Sequence, residues 1–243
     1  MTDRSLTRRR ALGGLLLLGT AGALASGGWL IPADAAPPAG PVLVELYQSQ
    51  GCSSCPPANA NVNALAGRPD VVALSFAVTY WDGLGWRDTF AKPQFTARQW
   101  EYARANDRPN VATPQVWLNG RSTIVGSNPR QLDAAIVAAR AAGPALAIGG
   151  GAVAVGPGAA PGNGADVWVA LYDPRSVAVP IRAGENGGRT LPHRNIVRQL
   201  VNLGRWTGQP VRYPLPAVPD GLAVAAFVQG GGGGPVVAAT KAS

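Results

Sequence analysis

Apolar runs and helical spacings alternate along residues 42–143 and then give way to a different texture. Val42-Leu43-Val44-Glu45-Leu46-Tyr47 and Val71-Val72-Ala73-Leu74-Ser75-Phe76-Ala77-Val78 have the composition of strands buried on both faces. Between them, Cys52 to Ala66 puts Ala58, Val62 and Leu65 on one helical face, and Gly67-Arg68-Pro69 stops the helix. Strand, helix, strand at this spacing predicts a right-handed βαβ unit. Pro93 to Ala105 predicts a second helix with Phe95, Trp100 and Ala103 facing inward. Asn119-Gly120, between Val116–Leu118 and Thr123–Val125, is a strong hairpin signal. Asn128-Pro129 opens a third helix running to Ala142, with Leu132, Ile136 and Val137 on one face and Gly143-Pro144 as its stop. The order β-α-β-α-β-β-α predicts an α/β domain with a mixed sheet over residues 42–145.

From residue 146 onward Gly and Pro become dense, and short apolar or alternating runs replace helical spacing. Runs at 147–155, 167–172, 177–181, 195–203, 211–215, 222–228 and 235–239 predict a mainly antiparallel, β-sandwich-like domain over residues 146–243. Gly230–Gly234 reads as a flexible loop rather than a phosphate cradle, because it does not lead from a strand into a helix.

At the other end, Thr7-Arg8-Arg9-Arg10-Ala11-Leu12 is a twin-arginine pattern. An uncharged stretch from Ala11 to Pro32 follows, then the small-x-small site Ala33-Asp34-Ala35. Residues 1–35 are therefore expected to be a signal segment and 36–41 a linker. Retained, the apolar stretch would anchor the chain in a membrane; its Gly, Ala and Ser content and the cleavage site favour removal. The expected location is periplasmic or secreted, which permits disulfides.

Composition changes this picture little. The chain is 47% hydrophobic and 14% charged, ample for a core, with a formal charge of +8. Residues 1–35 hold Arg4, Arg8, Arg9 and Arg10 against Asp3 and Asp34, leaving 17 basic and 11 acidic residues, or +6, for the rest. No basic run or nucleic-acid motif lies beyond the leader, so nucleic acid is not an expected partner.

The only two cysteines stand two residues apart in Gln48-Ser49-Gln50-Gly51-Cys52-Ser53-Ser54-Cys55-Pro56-Pro57, directly after the first strand. A thiol at a helix N-terminus meets unpaired N–H groups and the positive end of the macrodipole, which favours its thiolate. Cys52, nearer the tip, is the expected nucleophile and Cys55 the resolving thiol. A disulfide across so short a loop gains little entropically, which favours reversible exchange over stapling. Zinc needs four ligands, and one histidine, His193, joins the two cysteines, so no metal and no cofactor is assigned. A Cu(I) thiolate pair is one alternative, although Met1 is the only methionine. A ligand-binding module with a vestigial pair is another. With one histidine and no Gly-x-Ser-x-Gly elbow, hydrolase chemistry is not indicated.

Cys-x-x-Cys at a first helix, followed by Thr113-Pro114 before a hairpin, resembles the thioredoxin superfamily. That resemblance implies a cis proline whose loop faces the disulfide and offers backbone groups to an extended substrate. A closer resemblance is to an uncharacterised secreted thioredoxin-like family, domain of unknown function 1223. Its marks here include Ser49-Gln50-Gly51-Cys52-Ser53-Ser54-Cys55-Pro56-Pro57, Tyr80-Trp81-Asp82, Leu84-Gly85-Trp86 and Thr113-Pro114-Gln115, then Gly184-Glu185-Asn186-Gly187-Gly188-Arg189. It implies the fold and supplies no activity. No Trp precedes the first cysteine, Ser-Ser replaces Gly-Pro between the pair, and Glu45 lies seven residues before Cys52, one further than thioredoxin's buried acid. One step along a strand reverses the face, so Glu45 is a proton shuttle only if the loop absorbs the difference; otherwise it is a capping or edge acid.

Loops at the C-terminal ends of parallel strands gather on the binding side. Trp81, Asp82, Trp86 and Gln115 are thus candidates for a substrate groove; the aromatics alternatively pack an interface with the β domain. Glu185, Asn186, Arg189 and His193, with Arg182, Asn195 and Arg198, form a polar cluster in the second half. His193 either titrates near neutral pH or holds an anion, or is a hydrogen-bonded structural residue. The expected function is exported thiol–disulfide exchange on a protein or small-molecule disulfide or thiol.

Overall fold

The first apolar run folds as β1 (Val42–Gln48), buried along its whole length and parallel to β2 (Val71–Ala77), with Val42 opposite Val71 and Gln48 opposite Ala77. The computed structural model describes residues 40–162 and 164–242; the expected leader and the first residues of the linker lie outside them. Helix α1 (Cys55–Ala64) joins the two strands through a 3-10 turn at Leu65–Gly67. Then come α2 (Pro93–Ala105), the hairpin β3 (Gln115–Leu118) and β4 (Ser122–Ile124), and α3 (Pro129–Ala139). Pro56, Pro93 and Pro129 stand in the first turns of the helices, where a missing N–H has no helical partner. Asn128 caps α3 by accepting from the Arg130 and Gln131 N–H groups at 3.0 and 3.2 Å. Asn119 and Gly120 take φ of 47° and 64°, the twist that a tight hairpin needs.

The second half supplies β5 (Leu146–Gly149), β6 (Ala152–Val155), β7 (Ala165–Asp173), β8 (Val177–Pro180) and β9 (Thr190–His193). It ends with β10 (Ile196–Trp206), β11 (Val211–Pro214), β12 (Ala223–Gly230) and β13 (Val236–Lys241). One eight-stranded mixed sheet runs β13-β12-β7-β10-β2-β1-β3-β4, beside a three-stranded sheet β11-β6-β5 and the β8-β9 pair. Where the sequence suggests a change of domain after residue 145, the sheet continues: β10 lies parallel to β2 through Ile196 and Ser75. Asn195 fastens that join, its Nδ2 donating to the Ala73 carbonyl and its own carbonyl accepting from the Ser75 N–H. The described residues form one compact unit. A two-layer β arrangement is present, with Val153 and Val155 packed against Val167, Val169, Leu171, Val228 and Trp206.

Several expected details change. The 147–155 run is two strands, turned by Gly150 and Gly151 at φ of 55° and 69°. Strand β9 was not expected, because Pro192 interrupts its short apolar run. The expected flexible loop at Gly230–Gly234 instead contains a 3-10 turn, Gly231–Gly233, wedged against α2; a Cβ on Gly233 would lie 2.6 Å from the Glu101 backbone. Helix α3 ends at Ala139, and Val137 is 62% exposed, since successive helical residues point about 100° apart and Ile136 takes the inner face. In α2, Tyr102 rather than Trp100 fills the core. Alternation along β1 sends Leu43 and Tyr47 to a core with Phe76, Phe95, Tyr102 and Phe227, while Val42, Val44 and Leu46 meet Ala58, Val62 and Ile136. No helix among the described residues is long and apolar enough to cross a membrane.

Candidate functional site

Beyond β1 the chain makes two tight turns into α1, with the Cys52 N–H donating to the Ser49 carbonyl and the Cys55 N–H to the Cys52 carbonyl. Cys52 and Cys55 are joined as a disulfide, and Cys55 is the first residue of α1. Ser54, at the N-cap, makes no capping bond with its side chain. Its Oγ instead lies 3.3 Å from Cys52 Sγ and reaches the Thr113 carbonyl at 3.5 Å. The Thr113–Pro114 peptide is cis. The proline loop and the disulfide, far apart in the chain, therefore meet through Ser54.

The loop after β2 closes one side. Trp81 Nε1 donates to Thr113 Oγ1 at 2.7 Å, and Trp86 Nε1 donates to Gln50 Oε1 at 2.9 Å. Trp86 also packs against the core formed by Val179, Ile181 and Leu191, so it serves the join between the two halves as well as the site. Asp82 accepts from the Asp88 N–H. Buried Asp88 accepts from the Gln50 and Phe90 N–H groups at 2.7 and 2.8 Å. Burial, with the Asp82 charge nearby, pushes the Asp88 carboxyl up to about 6. Gln115 is turned to α2, where its Oε1 accepts from Gln99 Nε2 at 2.7 Å.

The second half closes the other side. Glu185 Oε2 accepts from the Ser53 N–H at 3.1 Å and from Ser53 Oγ at 2.7 Å, and these bonds hold its carboxyl below the usual range. Asn186 Nδ2 donates to the Gln50 and Cys52 carbonyls, both at 2.9 Å, and Arg189 donates to Asn186 Oδ1 at 2.7 Å. Cys52 is 0% exposed and Cys55 2%.

Two expected residues stand elsewhere. His193 is buried on β9, edge-on to Phe90, with its Nδ1 3.2 Å from Asn59 Nδ2. Because Asn59 Nδ2 is a donor, Nδ1 accepts and the ring proton sits on Nε2. Burial pulls His193 down to about 4, so the ring is neutral at physiological pH rather than titrating there or holding an anion. Glu45 is neither a capping nor an edge acid: it lies on an interior strand, its carboxylate bound by Arg98 at 2.8 Å and by the Tyr102 hydroxyl. Arg98 continues to Gln229 Oε1 at 2.9 Å and stacks on Phe227. This polar pair ties β1, α2 and β12 together, and it bonds to Tyr102 and Gln229 rather than to the cysteine loop. Ser53, Ser54 and Asp88 are site residues whose roles the sequence did not disclose. No local spacing links Cys52 to Asn186, 134 positions away. Among the described residues, no group of three or more His, Cys, Asp or Glu side chains is arranged to hold a metal.

A family model described as a protein of unknown function, DUF1223, matches residues 43–229. Among solved structures, the crystal structure of a protein from Agrobacterium tumefaciens is similar with a TM-score of 0.70 at 30% identity, covering 84% of this chain and 94% of that one. HBP35 of Porphyromonas gingivalis is similar with a TM-score of 0.61 at 12% identity, covering 86% and 76%, a likeness of fold alone. No curated protein matches.

Proposed function

The chain belongs to the DUF1223 family, whose function is unknown, and from the geometry of its own site we propose that it is an exported, thioredoxin-like thiol–disulfide oxidoreductase. One observation carries the reading: a Cys52–Cys55 disulfide at the head of α1, held beside the cis Thr113–Pro114 peptide through Ser54. In the reduced pair, the Cys52 thiolate attacks one sulfur of a substrate disulfide. That bond breaks, the second substrate sulfur leaves and takes a proton, and a mixed disulfide joins substrate to Cys52. Cys55 then gives up its proton and attacks the Cys52 sulfur, which re-forms the internal bond and releases the other substrate thiol. The substrate gains two electrons and the pair loses two; the reverse sequence oxidises a substrate dithiol. The Ser54 hydroxyl is placed to donate to the Cys52 thiolate, and charge-assisted bonds of this kind stabilise an anion. Export is supported by Arg8-Arg9 and by the Ala33-Asp34-Ala35 site.

The test is adduct trapping. Reduced Cys55→Ser protein mixed with glutathione disulfide is expected to gain one glutathione on Cys52, because no thiol remains to resolve it. Absence of that adduct at equilibrium in the folded variant, with Glu185→Ala added as well as without it, would contradict the proposal.

A further inference from the structure

We propose that the Glu185-Asn186 segment between β8 and β9 is a clasp that keeps the Cys52–Cys55 pair from exchanging until it lets go of Ser53. The inference rests on the thiol–disulfide reading of the pair and concerns how that site is regulated. A sulfur is attacked along the line of its S–S bond, so an approaching atom needs open space at the sulfur. Cys52 offers none, being fully buried although Ser53 and Ser54, which follow it in the loop, are exposed. Trp81 and Trp86 are anchored to Thr113 and Gln50 on one side; from the second half, Asn186 holds the Cys52 carbonyl and Glu185 holds Ser53, so the 184–189 segment closes over the main chain of the cysteine loop.

The segment is built to hold and to release. Gly184 takes φ of 71°, and a Cβ there would lie 3.2 Å from Trp86 Cβ, so only glycine lets the clasp seat this close. The turn is closed by its own backbone bonds, from Gly187 to Gly184, Gly188 to Ile181 and Arg189 to Asn186, none of which involves the cysteine loop. Its own shape is therefore kept by bonds that release from Ser53 would not break. Asn186 is buried and fully bonded, gripping the main chain of Gln50 and Cys52. Glu185 is exposed, and its two bonds to Ser53 face solvent, where substrate, salt or water can replace them. While seated, its carboxylate takes up the Ser53 N–H and places a negative charge one residue from Cys52, which disfavours a thiolate there. Covering the sulfur and discouraging its anion act in the same direction.

A neutral phosphine, tris(hydroxypropyl)phosphine, tests the clasp without a partner thiol. Its phosphorus attacks a cysteine sulfur, the S–S bond breaks, and water converts the phosphonium to phosphine oxide with release of both thiols. With the oxidised full chain, scored by mass shift after alkylation, Glu185→Ala is expected to raise the rate of reduction about tenfold, as loss of two bonds to a charged group implies. Glu185→Gln, which keeps an acceptor for Ser53, is expected to stay nearer the wild-type rate. Asn186→Ala is expected to exceed Glu185→Ala; if it does not fold, Glu185→Ala decides alone, since that side chain is exposed. A Glu185→Ala rate within twofold of wild type would overturn the clasp. A pair that the phosphine reduces faster in Glu185→Ala, yet that never exchanges with glutathione, would instead overturn the function proposed for it and leave the clasp standing.

Discussion

Ser54 is the residue on which the chemistry of Cys52 depends most directly. Its hydroxyl stands 3.3 Å from Cys52 Sγ and can turn its proton from the Thr113 carbonyl to that sulfur once the disulfide opens. In a Cys55→Ser background, adding Ser54→Ala is expected to raise the Cys52 pKa by roughly one unit, the scale of one lost bond to an anion, read from thiolate absorbance against pH. Two other residues shape the response to acid. Burial holds folded His193 near 4, below its unfolded value, so the unfolded chain binds more protons as pH falls from about 6.5 to 4 and stability is lost across that window. Folded Asp88 near 6 lies above its unfolded value, so its contribution is present at low pH and is lost as pH rises from about 4 through 6. The two slopes oppose each other. On going from pH 7 to pH 5, Asp88→Asn should lose about 1 kcal/mol more stability than wild type, and His193→Gln about 2 kcal/mol less, by urea unfolding at each pH. The reverse ordering would contradict the opposing contributions of Asp88 and His193. The Cys52–Cys55 spacing was legible because it is local, whereas the cis peptide before Pro114 was reached only through the resemblance. The partners of His193 and Glu45 were not, because face and burial depend on elements more than fifty residues away.

At the scale of elements, the polar pair between β1 and α2 is the main vulnerability. Arg98 reaches Glu45, Tyr102 and Gln229 from a buried position. Removing it alone leaves a buried carboxylate without its cation, so Arg98→Met is expected to cost about 3–5 kcal/mol in chemical denaturation. The double variant Glu45→Leu with Arg98→Met should recover most of that loss, since an apolar replacement of a whole buried pair is often neutral. A double variant no better than the single one would show that the pair is needed for more than charge balance. The strands at 42–48 and 71–77, the helix at 93–105 and the Asn119-Gly120 hairpin were readable from period and turn chemistry. The β5–β6 turn was hidden because Gly149-Gly150-Gly151 interrupts a run that otherwise reads as continuous apolar chain. Gly233 was misread because low complexity looks the same whether a loop is loose or must pass close to a helix backbone.

At the scale of the whole molecule, one sheet carries both halves, and the cysteine loop is finished by a segment from the far side of the join. No periodicity could announce that, because the parallel contact between β10 and β2 is a single residue pair reinforced by Asn195. Residues 1–145 alone should therefore fail to unfold cooperatively, since Phe227 and Ala170 complete the core around Phe76 and Tyr102. A sharp denaturation transition from that fragment would contradict the shared core. The central claim, that Cys52 and Cys55 form a working redox pair, is tested most directly by equilibrating the full chain across glutathione mixtures of graded potential and scoring both cysteines by mass shift after alkylation. One two-electron transition within the glutathione range is expected, abolished by Cys52→Ser. A pair that stays oxidised throughout, or that once reduced never closes again, would contradict it.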